Sequence, residues 1–384
     1  MIQPLRIGFL TPYSSFYPNY LPQVTTGFFF GLGEMRPNWL TFVPAYTHTG
    51  GQQAVEEAVH RLLFFEQCQM VSGLISYLSL PDLIPVLERM QRIGVFLDLG
   101  EYLPRPENLS PYAYHNSHQL WQGEYALGAF AQQEFGDEGY TVATLYDEGY
   151  HLTTAFRHGL GAAGGQTARM NTLPYNDPMP QNLRFEAVLE EVKREKPPYV
   201  HALFSGEAGQ QFVAQWAAAG LDGEVPLLLS DPMTQEDVLE DIRHLSISFF
   251  APSLWMRQAE TTANRHFVEQ FEPQTQHPAN IFALLGYEMG LLFRELKPDL
   301  LCGDWDKVKT LLQTETIEGP RGARNFYPKS GFALPRVDLL KVTLGNGYRR
   351  TVVRQEAGMP YDASTFHQLQ TDTPSGWRNP YLCY

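Results

Sequence analysis

Six short stretches hold most of the residues in this chain that could meet a small molecule. They are Tyr13-Ser14-Ser15, Ser76-Tyr77-Leu78-Ser79, Asp98-Leu99-Gly100-Glu101-Tyr102, Asp147-Glu148-Gly149-Tyr150, Ser205-Gly206-Glu207 and Ser230-Asp231. Together they supply short hydroxyls, carboxylates and tyrosines, with no lysine or arginine. Carboxylates hold a cation through charge-assisted hydrogen bonds, and tyrosine faces cover apolar carbons or a cation. Serine hydroxyls, with the open backbone N–H groups of a helix beginning after Tyr77-Leu78-Ser79, could hold a carboxylate. Any surface loop is polar, so the weight rests on the set and not on one member. The set reads as the lining of a site for a small molecule carrying an ammonium group or several hydrogen-bonding groups.

Other chemistry is poorly served. Gly159-Leu160-Gly161-Ala162-Ala163-Gly164 matches GxGxxG literally, but a dinucleotide site needs that motif after a strand and at the opening of a helix. Here it closes a helix and reads as a glycine C-cap. His115 with His118, and His151 with His158, lie close in sequence without HExxH spacing or cysteine partners, as polar surface or hinge residues commonly do. Asp147-Glu148 and Glu190-Glu191 could do acid–base work in principle; on solvated faces such pairs usually do none. There is no GxSxG elbow and no Walker A loop. Three cysteines, Cys68, Cys302 and Cys383, form no CxxC pair, and their odd number leaves a thiol free, against a disulfide scaffold or structural zinc. A formal charge of −14 opposes binding to nucleic acid or anionic lipid. The expectation is therefore a binder and not an enzyme, without cofactor or metal.

The elements that place these stretches are alternating strands and helices. Apolar strands fall at 5–10, 40–45, 71–75 and 93–97. Helices fall at 21–35, 52–67 and 83–90, the last with Pro81 near its start, where proline is tolerated. In 52–67, Ala54, Val55, Ala58, Val59, Leu62 and Leu63 keep helical spacing. A second run follows a break near 111–119: helices at 120–135, 153–163, 183–194 and 208–219, and strands at 140–146, 166–173, 199–204, 225–229 and 247–251. Three more helices cover 261–271, 280–296 and 304–313. Turn-rich segments surround Gly319-Pro320-Arg321-Gly322 and Pro328-Lys329-Ser330-Gly331, a strand covers 337–344, and the tail from 357 reads as an extension on the surface.

Strict βα alternation implies parallel sheets with helices on both faces. Two runs in 384 residues imply two such lobes. The expected fold class is α/β, two doubly wound parallel-sheet lobes joined by a three-strand hinge. The N-terminal lobe takes 1–117 plus 255–327, the C-terminal lobe 118–251 plus 331–350, and the extension 351–384. The hinge is expected near 114–117, 251–254 and 326–331, allowing closure on a ligand. In open parallel sheets ligands bind beyond the carboxyl ends of the strands, which is where all six polar stretches fall. The candidate ligand-binding residues are Tyr13, Ser14, Ser76, Tyr77, Ser79, Asp98, Gly100, Glu101, Tyr102, Tyr150, Gly206, Glu207 and Asp231.

An ordered string of segments over about 5–345 resembles the branched-chain amino-acid and amide-binding proteins of ABC transporters, which have the type I periplasmic-binding fold. Leu5-Arg6-Ile7-Gly8-Phe9-Leu10-Thr11-Pro12 resembles that family's first strand, and Gly50-Gly51-Gln52-Gln53-Ala54-Val55-Glu56-Glu57-Ala58 its second helix. Val71-Ser72-Gly73-Leu74-Ile75-Ser76-Tyr77-Leu78-Ser79 resembles its strand and serine-rich loop, and Pro111-Tyr112-Ala113-Tyr114-His115-Asn116 its crossover. Val142 through Tyr150, Asn264 through Phe271, and Ile317-Glu318-Gly319-Pro320-Arg321-Gly322 resemble later signatures.

The resemblance implies a solute-binding component of an importer, partnered by an ABC permease. An amino acid's carboxylate would sit at Ser76 to Ser79 and near Gly100 to Tyr102, its ammonium would face Asp231, and Tyr150 and Ser205-Gly206-Glu207 would close over it. Asp98 and Glu101 stand where that family has small residues. Two charges there would repel a carboxylate, which favours a cationic, amide or neutral polar ligand. The alternatives are a cytoplasmic sensor of the same fold acting on a regulatory partner protein, and a hydrolase using the same cleft. No stretch is apolar and long enough to span a bilayer, and the start reads as a strand without the features of an export signal. The location is thus extracytoplasmic if a signal was removed and cytoplasmic otherwise, with the chain a monomer or weak dimer.

Overall fold

Leu5, Ile7, Phe9 and Leu10 are all buried in one seven-residue strand. A strand covered on both faces by helices must be apolar on both faces, so it loses the alternation of a half-exposed strand. In the computed structural model, which describes residues 4–105, 108–166, 169–173, 183, 185–326, 337–355 and 376–383, this is β1 (Leu5–Thr11). It is followed by α1 (Tyr20–Leu32), β2 (Leu40–Tyr46), α2 (Gln52–His60), β3 (Met70–Leu74), α3 (Leu80–Met90), β4 (Ile93–Asp98) and β5 (Ala113–Ser117). All five strands are parallel, in the order β2-β1-β3-β4-β5. Pro44, which cannot donate to a ladder, lies in β2 at the edge.

The next run is α4 (Leu120–Phe135), β6 (Tyr140–Thr144), α5 (Leu145–Glu148), α6 (Leu152–Ala162), β7 (Arg169–Leu173), α7 (Glu186–Glu195), β8 (Val200–Leu203), α8 (Glu207–Ala218), β9 (Leu227–Leu229), α9 (Glu236–Ile242) and β10 (Ser248–Ser253). Then come α10 (Thr262–Thr275), α11 (Ile281–Cys302), α12 (Trp305–Thr314), the hairpin of β11 (Ile317–Gly319) and β12 (Gly322–Arg324), β13 (Asp338–Leu344) and β14 (Tyr348–Arg354). The second large sheet has the order β14-β13-β10-β9-β8-β6-β7. It is parallel from β10 to β7, while β13 pairs antiparallel with β10 and β14 antiparallel with β13. The chain thus has two doubly wound α/β lobes. The turn between β13 and β14 is Gly345-Asn346-Gly347, with Asn346 and Gly347 at positive φ.

Contacts divide the chain into a first unit, Met1–His118 with Trp255–Ala333 and Trp377–Tyr384, and a second unit, Gln119–Leu254 with Leu334–Gly376. The chain therefore passes from one unit to the other four times, the last time after Gly376. Residues 327–331 of the third expected hinge strand, the turn at 328–331 and residues 356–375 of the tail lie outside the described residues.

Two local readings change, and a third is located. The strand expected to reach residue 146 stops at Thr144, because the Thr144 side chain accepts the Asp147 N–H at 3.1 Å and starts a helical turn. The tail expected on the surface ends in core: Tyr381, Leu382 and Cys383 are fully buried. The glycine C-cap read from Gly159-Leu160-Gly161-Ala162-Ala163-Gly164 falls on Gly164, while Gly159 lies inside α6 and does a different job. A Cβ on it would stand 2.0 Å from the Tyr125 carbonyl oxygen, and one on Gly128 would stand 2.0 Å from that of Phe156, so α4 and α6 meet backbone to backbone. The left-handed glycine beyond α6 is Gly164, at φ 93°.

The first unit repeats that device. Cβ atoms at Gly27 and Gly31 of α1 would lie 2.2 and 2.0 Å from the carbonyls of Ala283 and Tyr287. Those at Gly286 and Gly290 of α11 would lie 2.0 and 2.1 Å from those of Val24 and Phe28. A second brace is polar. Glu288 of α11, fully buried, accepts from Arg321 Nε at 2.9 Å and Nη2 at 2.5 Å. Arg321 also reaches Asn116 Oδ1 and the Ser117 carbonyl, both at 3.1 Å. Burial alone would raise the Glu288 pKa, but Arg321, with Arg324 and Asn116, holds it below the ordinary range. The Gly319-Pro320-Arg321-Gly322 segment is the turn that aims this guanidinium.

Gly31→Ala should destabilise the protein by about 1–3 kcal/mol, since an added methyl meets backbone that cannot rotate away. Gly161→Ala, in a helix with open space around the site, should be neutral or stabilising by up to about 1 kcal/mol. Urea unfolding of the two variants checks the contrast.

Candidate functional site

In the first unit the candidate residues all sit at the carboxyl ends of adjacent parallel strands: Tyr13 and Ser14 after β1, Ser76, Tyr77 and Ser79 after β3, and Asp98, Gly100, Glu101 and Tyr102 at the end of β4. Ser76 caps the turn Tyr77–Ser79, its hydroxyl accepting the Leu78 N–H at 3.3 Å. The Tyr77 hydroxyl accepts the Arg105 N–H at 2.7 Å. Ser79 stands at the start of α3, an eleven-residue helix, with a buried hydroxyl that meets no hydrogen-bond partner among the described residues.

Of the two acidic residues that seemed to oppose an anion, Asp98 is committed elsewhere and Glu101 is shut away from water. Asp98 Oδ1 accepts the Gly100 N–H at 2.8 Å, with Gly100 at φ 72° making the turn, and Oδ2 lies 3.2 Å from His115 Nδ1. The His115 ring lies 5.6 Å from that of Tyr77, and its Nε2 has no partner among the described residues. That nitrogen is an acceptor in the neutral ring and a donor in the protonated one. Glu101 is fully buried. Desolvation, then the Asp98 charge, push its carboxyl up to about 8, against backbone N–H groups of Glu101, Tyr381 and Leu99. At neutral pH Glu101 is a neutral acid.

Tyr13 is half exposed, whereas Ser14 and Tyr102 are buried and turned to the chain's own end. Ser14 donates to the Leu382 carbonyl and Tyr102 to the Trp377 carbonyl. Sequence reasoning missed this segment. The apolar Tyr381-Leu382-Cys383 following Pro380 was the signal that the tail's end is core.

In the second unit Tyr150, Gly206, Glu207 and Asp231 follow β6, β8 and β9, which are neighbours in the sheet. Tyr150 donates to the Tyr146 hydroxyl at 3.2 Å, both buried. Gly206 takes φ 58°, ψ −139° before α8. Glu207 is exposed and accepts from Gln211 at 3.1 Å. Asp231 is buried, with Oδ2 accepting from Gln235 at 2.5 Å. Asp147 organises the loops: Thr144 donates to one oxygen at 2.6 Å and Ser205 to the other at 2.5 Å. Burial, partly opposed by Arg157 and assisted by Asp147, raises the adjacent Glu148 to about 7. Beneath them His201 is stacked on Phe156, with ring centroids 3.8 Å apart, and bonded to Glu124 at 2.9 Å. Each unit therefore gathers its candidates on one edge of its own sheet.

Among the described residues no group of three or more His, Cys, Asp or Glu side chains could hold a metal ion, and no helix is long and apolar enough to cross a membrane. All three cysteines are free thiols.

A carboxyl with a raised folded-state pKa binds its proton more tightly when folded. Its stabilisation is complete below the unfolded value near 4.5 and fades as pH rises toward about 8. Stability should thus fall between pH 5 and 8.5, and Glu101→Gln should flatten that fall and raise the melting temperature at pH 8.5. Melting curves at several pH values test this, and an unchanged slope in the variant would count against the assignment.

A model of the periplasmic binding protein family matches residues 4–347. No curated protein matches the chain. Among solved structures, it is similar to an ABC transporter substrate-binding protein from Sphaerobacter thermophilus, with TM-score 0.76 and 18% identity over 92% of this chain and 97% of that one. It is also similar to an ABC transporter solute-binding protein from Rhodopseudomonas palustris in complex with p-hydroxybenzoic acid, with TM-score 0.74 and 16% identity over 93% and 98%. A leucine-binding protein from Thermotoga maritima gives TM-score 0.67 and 16% identity over 91% and 98%. With two α/β lobes and the match running through nearly the whole described chain, the protein belongs to the periplasmic binding protein family, a family of solute binders and not of enzymes.

Proposed function

We propose that the chain is the solute-binding component of an ABC importer and that its solute carries a carboxylate. The observation that carries the solute class is Ser79. Its hydroxyl is buried and unpartnered among the described residues, at the residue that leads into α3. A buried hydroxyl without a partner is costly, and a carboxylate oxygen would satisfy it. Glu101 is a neutral acid, so the repulsion that argued for a cationic or amide solute is reduced to the single charge of Asp98, which Gly100 and His115 hold. Tyr77 and His115 supply flat polar faces beside it.

Two bodies fit such a carboxylate: an amino acid, as the name of the Thermotoga maritima protein implies for that protein, or an aromatic acid, as in the Rhodopseudomonas palustris complex. The resemblance assigns an amino acid's ammonium to Asp231, and a benzoate has no such group, so Asp231 is the residue that tells them apart. The family and the permease partnership support an extracytoplasmic location.

Ser79→Ala should weaken binding of L-leucine or 4-hydroxybenzoate, whichever binds, about tenfold or more, the worth of a hydrogen bond to a charged group. Asp231→Ala should weaken L-leucine at least tenfold and leave 4-hydroxybenzoate unchanged. Calorimetry on both variants decides. If neither compound nor any other amino or aromatic acid binds the unaltered protein, the carboxylate reading fails.

A further inference from the structure

The last described residues lie against the carboxyl-end loops of the first unit. Tyr381, Leu382 and Cys383 are as buried as the strands of the sheet. The Leu382 carbonyl accepts from Ser14, which also accepts the Tyr17 N–H at 2.9 Å. The Trp377 carbonyl accepts from Tyr102. Arg378 donates to Gln52. Pro380 packs on Gly50, where φ is 77° and a Cβ would stand 2.5 Å from the proline ring. Asn379 donates to the Cys383 carbonyl and closes the segment on itself. Three of the residues expected to touch solute, Ser14, Glu101 and Tyr102, are instead bonded to this segment or buried with it.

We infer that residues 377–383 form a resident strap, anchored by Ser14 and Tyr102, that makes one wall of the solute site and so determines which solutes the first unit accepts. This rests on reading the carboxyl-end loops as the solute site. Two physical reasons make the strap a wall and not a displaceable plug. Burying three such side chains is worth several kcal/mol, more than a small solute would recover by evicting them. The strap also keeps water from Glu101, whose carboxyl, facing Asp98, Cys383 and the Tyr381 N–H, would ionise if exposed and turn the loop face anionic. With the strap in place the face offers the hydroxyls of Ser76 and Ser79 and the Tyr77 and His115 rings; without it, a carboxylate.

Thiol reactivity tests the strap without any solute. Cys302 is exposed, while Cys68 and Cys383 are buried in different parts of the same unit. In the full chain with Ellman's reagent, Cys302 should react at once and the other two slowly. The double variant Ser14→Ala with Tyr102→Phe should speed Cys383 at least tenfold and leave Cys68 unchanged, which separates local release from global unfolding. Should Cys383 react as fast as Cys302 in the unaltered chain, the strap is not docked and the proposal falls. The specificity half is read by calorimetry with 4-hydroxybenzoate, L-leucine and phenethylamine. The double variant should bind the amine at least tenfold more tightly than the unaltered chain does, and the acid more weakly. Equal affinities of all three compounds for both proteins overturn the wall, whatever the thiols do. If no compound binds either protein, the solute-site reading and the wall that rests on it both fail, while Cys383 still decides whether the segment is docked.

Discussion

In this protein two helix pairs approach until backbone meets backbone, α1 with α11 and α4 with α6, and much of the packing follows from that closeness. A methyl group at any of Gly27, Gly31, Gly286, Gly290, Gly128 or Gly159 would stand about 2 Å from a carbonyl oxygen. Interiors pack at near-crystal density, so such a contact cannot be absorbed by a small shift. With the helices held this close, α11 brings Glu288 to the turn of the β11–β12 hairpin, where Arg321 answers it and also holds Asn116 and Ser117 at the end of β5. Breaking a buried pair by removing one partner typically costs about 3–5 kcal/mol. The frame therefore fixes the last residues of β5 just before the chain leaves the first unit at His118.

The carboxyl ends of the strands inherit that rigidity. A parallel strand ends where its helix begins, so Ser76, Ser79 and Asp98 are brought to one end of the sheet by sheet order alone, and the His115 side chain reaches Asp98 from within β5. What each can then do depends on its immediate partner. Asp98 is a spent carboxylate, Glu101 a neutral acid, Ser79 an open hydroxyl. The same logic separates Asp147, satisfied on both oxygens by Thr144 and Ser205, from exposed Glu207.

How much of this was legible beforehand differs by residue. The apolar run of β1, the helical spacing in α2 and the alternation of strands and helices were plain, because burial on two faces or one leaves a period in the sequence. The placement of all thirteen candidates at strand ends was equally legible. Segments without such a period were not: β14 is a half-exposed edge strand, α9 is only seven residues long, and the strap carries three apolar residues at the end of a polar tail. Which glycine of 159–164 caps the helix and which makes room for α4 was not legible, because a glycine needed for φ and a glycine needed for space look alike in one dimension.

By itself the sequence determined the two-lobed α/β class, the βα alternation of each lobe and the placement of the candidate residues beyond the carboxyl ends of the strands, since these follow from local periodicity and from rules of connection. Only the tertiary structure decided which of the polar groups on that face are spent and which are open. Asp98 and His115 are seventeen residues apart, Glu288 and Arg321 thirty-three, Ser14 and Leu382 three hundred and sixty-eight. A side chain's charge state and availability are set by the groups within a few ångströms, and chain separation does not encode those distances. In the first unit the stretch that read as two open acids becomes, once folded, one hydrogen-bonded carboxylate and one buried acid beside the hydroxyls of Ser76 and Ser79, with the last described residues of the chain packed against them.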